Sequence, residues 1–414
     1  MLSVDDALRR VLAAVRPVLP ERVPLSAAFE RVLAEDIVSG LDVPPWDNSA
    51  MDGFAVIAAD LPGSLRVLET IPAGGVPDRE VVRGCCSRIM TGAPVPAGAD
   101  AVVMIEQTDG GHEQVVIHHA ATAGQNIRPR GGDVTSGQVV LSKGRVLDPA
   151  AVGLISSLGL PSVLVAQKPR VAILSTGDEV VETGWPLQPG QIYSSNTITL
   201  MGQVLAAGAV PIHCGIAPDD PEGLREALES CLRADLVLTT GGVSVGDFDH
   251  VKDILGEVDF WKVAMKPGKP LAYGRVRGVP CFGLPGNPVS CMVNFFQFVR
   301  PVIRKTLGDP RPHLPVVEAV LASAIRARPG RAELARVKLC RSAEGFVASG
   351  TGTQSSGVLT SMAEADGLTL IPADEGTRPA GATVRVQVLS WRFLDGAGPD
   401  YGWPSHPPRE DRGC

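Results

Sequence analysis

The sequence predicts a multidomain α/β protein built around a parallel sheet, and three observations carry that prediction. Residues 166–310 alternate apolar strands with segments of helical length, an order that gives a parallel sheet with right-handed crossovers. Residues 46–130 change to short alternating strands broken by Gly and Pro, FAVIAAD, SLRVLET, DAVVMIEQ and EQVVIHH; these read as a β-rich domain inserted into the one before it. Beyond Pro310 come VVEAVLAS, ARVKLCRS, GFVASG, GLTLIPAD and TVRVQVLSW, five short strands that predict a small β-barrel or sandwich.

The 414 residues exceed one ordinary core, and the division read from the pattern is 1–45 with 131–165, the insert 46–130, the α/β domain 166–310, the β domain 311–394 and a tail 395–414. The tail is rich in proline and glycine and is expected to be disordered. A net charge of −7 argues against a broad nucleic-acid-binding face, so any anion site must be a local cationic pocket. MLSVDDALRR has acidic residues where a signal peptide has an apolar core, and no apolar run reaches membrane-spanning length; a soluble cytoplasmic protein is expected. The eight cysteines are scattered without metal-like spacing, and most fall in apolar runs as reduced core residues. His118 and His119 read as solvated strand residues.

In chain order, Ser3 is placed to cap a first helix, with Val4, Leu8, Val11, Leu12 and Val15 on one face and Pro17 as its stop. A second short helix is expected over Ser26 to Glu35, after which Val43-Pro44-Pro45 must run extended. Two polar knots, Asp47 to Gly53 and Met90 to Pro94, read by themselves as turn chemistry. Asp148 to Gly159 reads as a helix with Pro149 in its first turn. Strands are expected at Arg170 to Leu174, Val210 to Cys214, Leu236 to Thr239, Leu271 to Tyr273 and Pro280 to Phe282. Either Asp219 or Asp220 caps the helix that begins at Pro221.

Chemistry concentrates in Leu236 to Asp253, LVLTTGGVSVGDFDHVKD. Gly241-Gly242 lets the backbone turn tightly and approach a ligand. Ser244, Asp247 and Asp249 follow at the carboxyl end of a strand, where open parallel sheets hold ligands; capping of the next helix is the competing role for either aspartate. RVAILSTGDE repeats the pattern, WKVAMKPGKP puts Lys262, Lys266 and Lys269 on a stiffened loop, and FGLPGNPVS opens a helix with a rigid turn. Acidic loops and a lysine loop at one sheet edge predict a site that handles anions with help from a cation.

TTGGVSVGDFDHVK, MKPGKP, GLPGNPVS, STGDE and the earlier PPWDNSAMDGFAV resemble the molybdopterin molybdenumtransferase family, MoeA and the gephyrin E domain, in motif order and over nearly the whole chain. The resemblance implies a central α/β domain of the molybdopterin-binding type, an elongated N-terminal domain, an inserted β-rich domain and a C-terminal β-barrel. It implies a homodimer that takes adenylylated molybdopterin from an upstream molybdopterin adenylyltransferase, and molybdate. With Mg²⁺ this enzyme would cleave the pyrophosphate link, release AMP and pass the molybdenum cofactor to molybdoenzymes or carriers. In its pattern Asp52, Thr91, Asp133, Glu179 and Asp249 fall at the catalytic cleft. Gly241, Gly242, Ser244, Lys262, Lys266, Lys269, Pro285, Pro288, Ser290, Arg336 and Ser356 fall with the substrates. Glu179, Asp219 and Asp249 are hard oxygen donors suited to Mg²⁺, with helix capping still open for Asp219. Ser194 departs from the pattern, standing where many members carry an aspartate. A non-catalytic, gephyrin-like scaffold that grips partner peptides is the alternative, and the presence of Asp52, Glu179, Asp249, Lys266 and Lys269 favours catalysis over it.

Overall fold

The structure is a computed structural model that describes residues 1–241 and 257–395. The expectations for Gly242, Ser244, Asp247, Asp249 and the tail from residue 396 lie outside the described residues. The chain divides into two compact units, one of residues 1–20 with 166 onwards and one of residues 21–165.

Helix α1 (Val4–Ala13) starts as expected, with the Ser3 hydroxyl accepting the Asp6 amide at 3.0 Å. Its apolar stripe buries Ala7 and Val11 in the unit of the α/β sheet, where the Leu2 amide donates to the Lys262 carbonyl and the Tyr273 hydroxyl to that of Val11. The helix belongs to the compact unit of residues 1–20 with 166 onwards.

In the second unit, β1 (Gly53–Val56), β2 (Gly63–Ile71), β3 (Cys85–Ile89), β4 (Ala101–Met104) and β5 (Gln114–Ile117) form a sheet in the order β4-β1-β3-β2-β5. Phe54 and Val56 join one apolar cluster and Ala55 another, the two-residue period of a strand buried on both faces. Strand β3 has no counterpart in the sequence reading, because CCSRI shows no clear alternation. The helix expected over Ser26 to Glu35 is also replaced: a single 3-10 turn covers Leu25–Ala27, and Val32 and Leu33 then make β-bridges to Val146 and Val165. Both side chains are buried there, so tertiary pairing overrides local helical preference. Helix α2 (Pro149–Ser157) follows, with Asp148 accepting the Ala151 amide at 2.7 Å.

The first unit continues with β6 (Arg170–Thr176), α3 (Ser195–Ala206), β7 (Val210–Ala217), α4 (Pro221–Cys231), β8 (Leu236–Thr240), β9 (Glu257–Lys262), β10 (Pro270–Val276) and β11 (Val279–Leu284). The sheet order is β7-β6-β8-β11-β10-β9. The first four strands are parallel, while β10 is antiparallel to both of its neighbours. That corrects the all-parallel expectation at Leu271 to Tyr273. Val276 pairs with Val279 across Arg277 and Gly278, both at positive φ, a two-residue hairpin that reverses the chain with no room for a crossover. From β6 the chain crosses to β7 on one side and returns through α4 to β8 on the other. The order therefore reverses at β6 and β8, the position where open α/β sheets form a ligand crevice.

Helices α5 (Pro288–Asn294) and α6 (Arg300–Thr306) lead to β12 (Val316–Leu321), β13 (Arg336–Ser342), β14 (Gly345–Gly350), β15 (Gly367–Thr369) and β16 (Thr383–Val388). These five strands close into a barrel, ordered β12-β14-β13-β15-β16, around a core that includes Leu321, Val337, Leu339 and Val386. Among the described residues no helix is long and apolar enough to cross a membrane. Their seven cysteines are all free, and burial pushes the Cys86, Cys231, Cys281 and Cys291 thiols up to about 12.

Candidate active site

At the carboxyl ends of β6, β8 and β11 opens a cavity of about 760 Å³, whose walls include Glu179, Asn196, Asp219, Gly241, Pro285 and Pro288. Gly241, at φ +93°, is what lets two strand ends meet: a Cβ there would lie 2.4 Å from the Thr176 carbonyl oxygen. On its other side, a Cβ on Gly286 would lie 3.7 Å from the Gly241 Cα. Asn196, in the first turn of α3, ties these turns together. Its Nδ2 donates to the Thr240 hydroxyl and to the Gly286 carbonyl, each at 2.8 Å. Asn196 carried no expected role, although its place in the first turn of the helix that links β6 to β7 was a usable signal.

The acidic wall is ordered by its own backbone. Asp220 caps α4 by accepting the Gly223 amide at 2.8 Å, which leaves Asp219 free of the capping role. The Asp219 carboxylate instead accepts the Asp178 amide at 3.3 Å, and that of Asp178 accepts the Asp219 amide at 3.2 Å. Glu179 is exposed and lines the same cavity as Asp219. Two solvated carboxylates fit Mg²⁺, a hard cation that uses one or two of them plus phosphate and water oxygens. The Thr176 Oγ1, buried without a partner on the same wall, is a further oxygen donor. Among the described residues no three His, Cys, Asp or Glu side chains converge on one point, so substrate or water oxygens would complete the shell. Beside them Ser194 sits in a closed ring of buried hydroxyls, its Oγ 3.1 Å from Ser175 Oγ and 2.7 Å from Thr197 Oγ1, with Ser175 and Thr197 also 2.7 Å apart.

The lysine loop is less free than its sequence implies. Met265–Lys266 pairs in parallel with Ala332–Glu333, and Lys266 Nζ lies 3.1 and 3.3 Å from the two oxygens of Glu333, a residue 4% exposed. Lys266 was expected to offer its charge to a substrate anion; here that charge neutralises a buried carboxylate. Lys262 and Lys269 are exposed and make no ion pair among the described residues. Lys266→Ala is therefore expected to lower stability by about 1–3 kcal/mol, a buried-pair cost discounted for the half-exposed ammonium. Adding Glu333→Gln should recover most of it. Equal melting of Lys266→Ala and parent would dismiss the pair as a structural element.

Arg336 is also engaged by protein groups. The side chain is 0% exposed, and its guanidinium donates to the Ser361 hydroxyl at 3.1 Å and to the carbonyls of Thr353 at 3.2 Å, Gln354 at 3.3 Å and Ser355 at 2.9 Å. The guanidinium fork holds this loop in place. Next along that loop, the Ser356 carbonyl accepts the Val289 amide at 3.1 Å, joining it to the start of α5, on which Ser290 is buried. Lys262, Lys266, Lys269, Ser290, Arg336 and Ser356 do not line the cavity, whereas Pro270 and Gly357, neighbours of Lys269 and Ser356, do.

In the other unit Asp52 and Thr91 meet. The Asp52 Oδ1 accepts both the amide and the hydroxyl of Thr91 at 2.7 Å, and those two bonds, with Arg88 nearby, hold the Asp52 carboxyl below its usual range. The arrangement is complete at neutral pH and is lost only as pH falls through that depressed value. Asp133 is exposed, and its amide donates to the Val43 carbonyl at 3.0 Å.

Three family models match the chain: the MoeA N-terminal region (domain I and II) over residues 2–159, a probable molybdopterin binding domain over 172–305 and the MoeA C-terminal region (domain IV) over 318–389. Molybdopterin molybdenumtransferase 2 of Mycobacterium tuberculosis is 42% identical over 407 residues, covering 94% of this chain and all of the relative. The chain belongs to the molybdopterin molybdenumtransferase family. The Haemophilus influenzae molybdopterin molybdenumtransferase is 37% identical over 94% of this chain and 98% of its own. Among solved structures, the molybdopterin biosynthesis MoeA protein from Pyrococcus horikoshii superposes with a TM-score of 0.83 at 33% identity, over 94% of this chain and 100% of that one. Membership makes the protein a transferase enzyme of molybdenum cofactor biosynthesis, with the MoeA domain architecture.

Proposed function

We propose that this molybdenumtransferase-family enzyme inserts molybdate into adenylylated molybdopterin, with Mg²⁺-dependent cleavage of the pyrophosphate link and release of AMP. The observation that carries the reading is the placement of Glu179 and Asp219 on one cavity at the carboxyl ends of β6 and β8, against the bare backbone of Gly241. Glu179 and Asp219 would hold Mg²⁺, which supplies positive charge to the departing phosphate. The Gly241 turn gives the substrate close backbone approach, and Asn196 keeps that turn and Gly286 in register. Exposed Lys262 and Lys269 supply charge for the molybdate oxyanion.

In this reading the enzyme is a cytoplasmic homodimer, and the Asp52–Thr91 pair of one subunit serves the cavity of its partner. An Asp52→Ala subunit coexpressed with a Lys269→Ala subunit should then regain up to about half of the parent activity in a doubly tagged dimer, since one of its two sites carries neither change. Activity no higher than in either variant homodimer would place the chemistry in one chain. The reaction itself is tested by supplying purified protein with adenylylated molybdopterin, molybdate and Mg²⁺. AMP release together with reconstitution of a molybdenum-free apoenzyme is expected; absence of both would overturn the enzyme reading of the site.

A further inference from the structure

At the opposite edge of the α/β sheet lies a second cavity, which the proposed reaction does not use. Its volume is about 430 Å³, within the range of pockets that take small molecules. It is lined by Pro169, just before β6, and by Leu236 and Val279, the first residues of β8 and β11. The same three strands end at the catalytic cavity, so the two cavities are separated by the length of a strand, about 13 Å for the five residues of β8. The roof of this second cavity is a consequence of Pro17, which lacks the amide needed to continue α1. Residues 15–19 therefore run as irregular chain over the sheet edge. Their backbone is pinned along its length: the Ala14 carbonyl accepts from Arg275 at 2.7 Å, the Val18 amide donates to the Thr306 carbonyl at 3.1 Å, and the Leu19 carbonyl accepts the Gln167 amide at 3.0 Å. A roof held in this way stays open, and a ligand entering beneath it loses little to reordering.

The lining is apolar inside and positive at its charged positions. Val15, Val18, Val279, Val302 and Ile303, with the ring of Tyr273, supply the apolar walls. The charged lining residues are Arg16, Lys168, Arg275 and Asp235, three cations to one carboxylate. Asp235 accepts the Arg170 amide at 2.7 Å. Arg275 donates to the carbonyls of Ala14 and Gly278, which fix its position without cancelling its charge. Arg16 and Lys168 are exposed and make no ion pair among the described residues. Apolar walls with uncompensated positive charge are complementary to a molecule that has an apolar body and a single negative charge. A small inorganic anion has no body to fill the walls. A nucleotide would leave its polar edges unpaired against valine and isoleucine, which is costly.

We propose that this cavity is a second ligand site, which binds a small alkyl or aryl carboxylic acid with its carboxylate among Arg16, Lys168 and Arg275 and its apolar body against Val15, Val302 and Ile303. The site stands independently of the function proposed above, since it shares no lining residue with the catalytic cavity.

The probes are octanoate and its neutral isostere octanamide, titrated into the full chain by calorimetry at low ionic strength. Octanoate should bind once per chain with a Kd of about 0.1–1 mM, and octanamide about 10-fold or more weakly. The double variant Arg16→Glu with Lys168→Glu changes only exposed side chains, so the fold should be kept. It should weaken octanoate about 10-fold or more and leave octanamide within about 2-fold of the parent. Val15→Trp fills the space from the half-buried roof and should abolish binding of both probes; if it does not fold, the double variant still decides the matter. Absence of saturable octanoate binding up to about 10 mM would overturn the site. Equal binding of acid and amide, or octanoate affinity unchanged in the double variant, would also overturn it, by placing the ligand away from these charges.

Discussion

Arg336→Ala is expected to cost about 3–5 kcal/mol and to release the loop of residues 351–356. The truncation would leave the carbonyls of Thr353, Gln354 and Ser355 and the hydroxyl of Ser361 without their donors, in a place where Arg336 is completely buried. It would also remove a positive charge from beside Glu333, whose attraction opposes the downward pull of burial on the Arg336 pKa. Because the Ser356 carbonyl holds the Val289 amide, loosening should reach the start of α5 and the Gly357 side of the cavity. Thermal unfolding and limited proteolysis of residues 351–356 read the two effects. Arg336→Lys should recover only part, since an ammonium keeps the charge but not the planar fork that reaches three carbonyls and a hydroxyl. A variant that melts like the parent and loses only anion binding would show that Arg336 serves the substrate and not the loop.

Gly241→Ala is expected to destabilise by about 2–4 kcal/mol and to reduce AMP release by about 100-fold in the protein that still folds. Two costs combine. A φ of +93° is strained for any residue with a side chain, and the added methyl would lie 2.4 Å from the Thr176 carbonyl oxygen and 2.8 Å from its hydroxyl. Ser175 and Thr240 are cross-strand partners one step before this contact, so relief must come from parting the ends of β6 and β8, where the cavity lies. Gly202→Ala is the control. That residue is inside α3, at ordinary helical φ, with nothing within 4 Å of the new methyl, and should stabilise by about 0.5–1 kcal/mol. Parallel denaturant unfolding of both variants separates the cost of a methyl group from the cost of its position. If Gly241→Ala behaves like Gly202→Ala, the strand ends are not in obligatory contact.

The elements that were legible share one property: their signal lies within a few residues. Ser3 and Asp148 cap helices because the donor each satisfies is three positions away. The five barrel strands announce themselves by alternation and turns, and closure then follows because a small sheet buries its edges by meeting itself. The motif order was enough to place the chain in its family. The carboxyl ends of β6 and β8 could be named as a site because a glycine turn after a buried strand has the same geometry wherever it occurs.

What the sequence determined was therefore periodicity, caps, the glycine turns and the residue types gathered near one sheet edge. Only the tertiary structure decided which charges are free. Lys266 and Lys269 are three residues apart on one loop, yet one faces a buried Glu333 that is 67 positions away and the other faces solvent. Arg336 is held by the carbonyls of the loop that follows β14, partners no local signal announces. Asp219 and Asp220 are interchangeable in the sequence, and the direction of α4 assigns the cap to Asp220. Cys85–Ile89 becomes a strand because β1 and β2 flank it. In each case the deciding partner is a burial or a hydrogen bond contributed by a distant segment. A polar group's role depends on whether its partner is protein or solvent, and that choice is made when the chain packs.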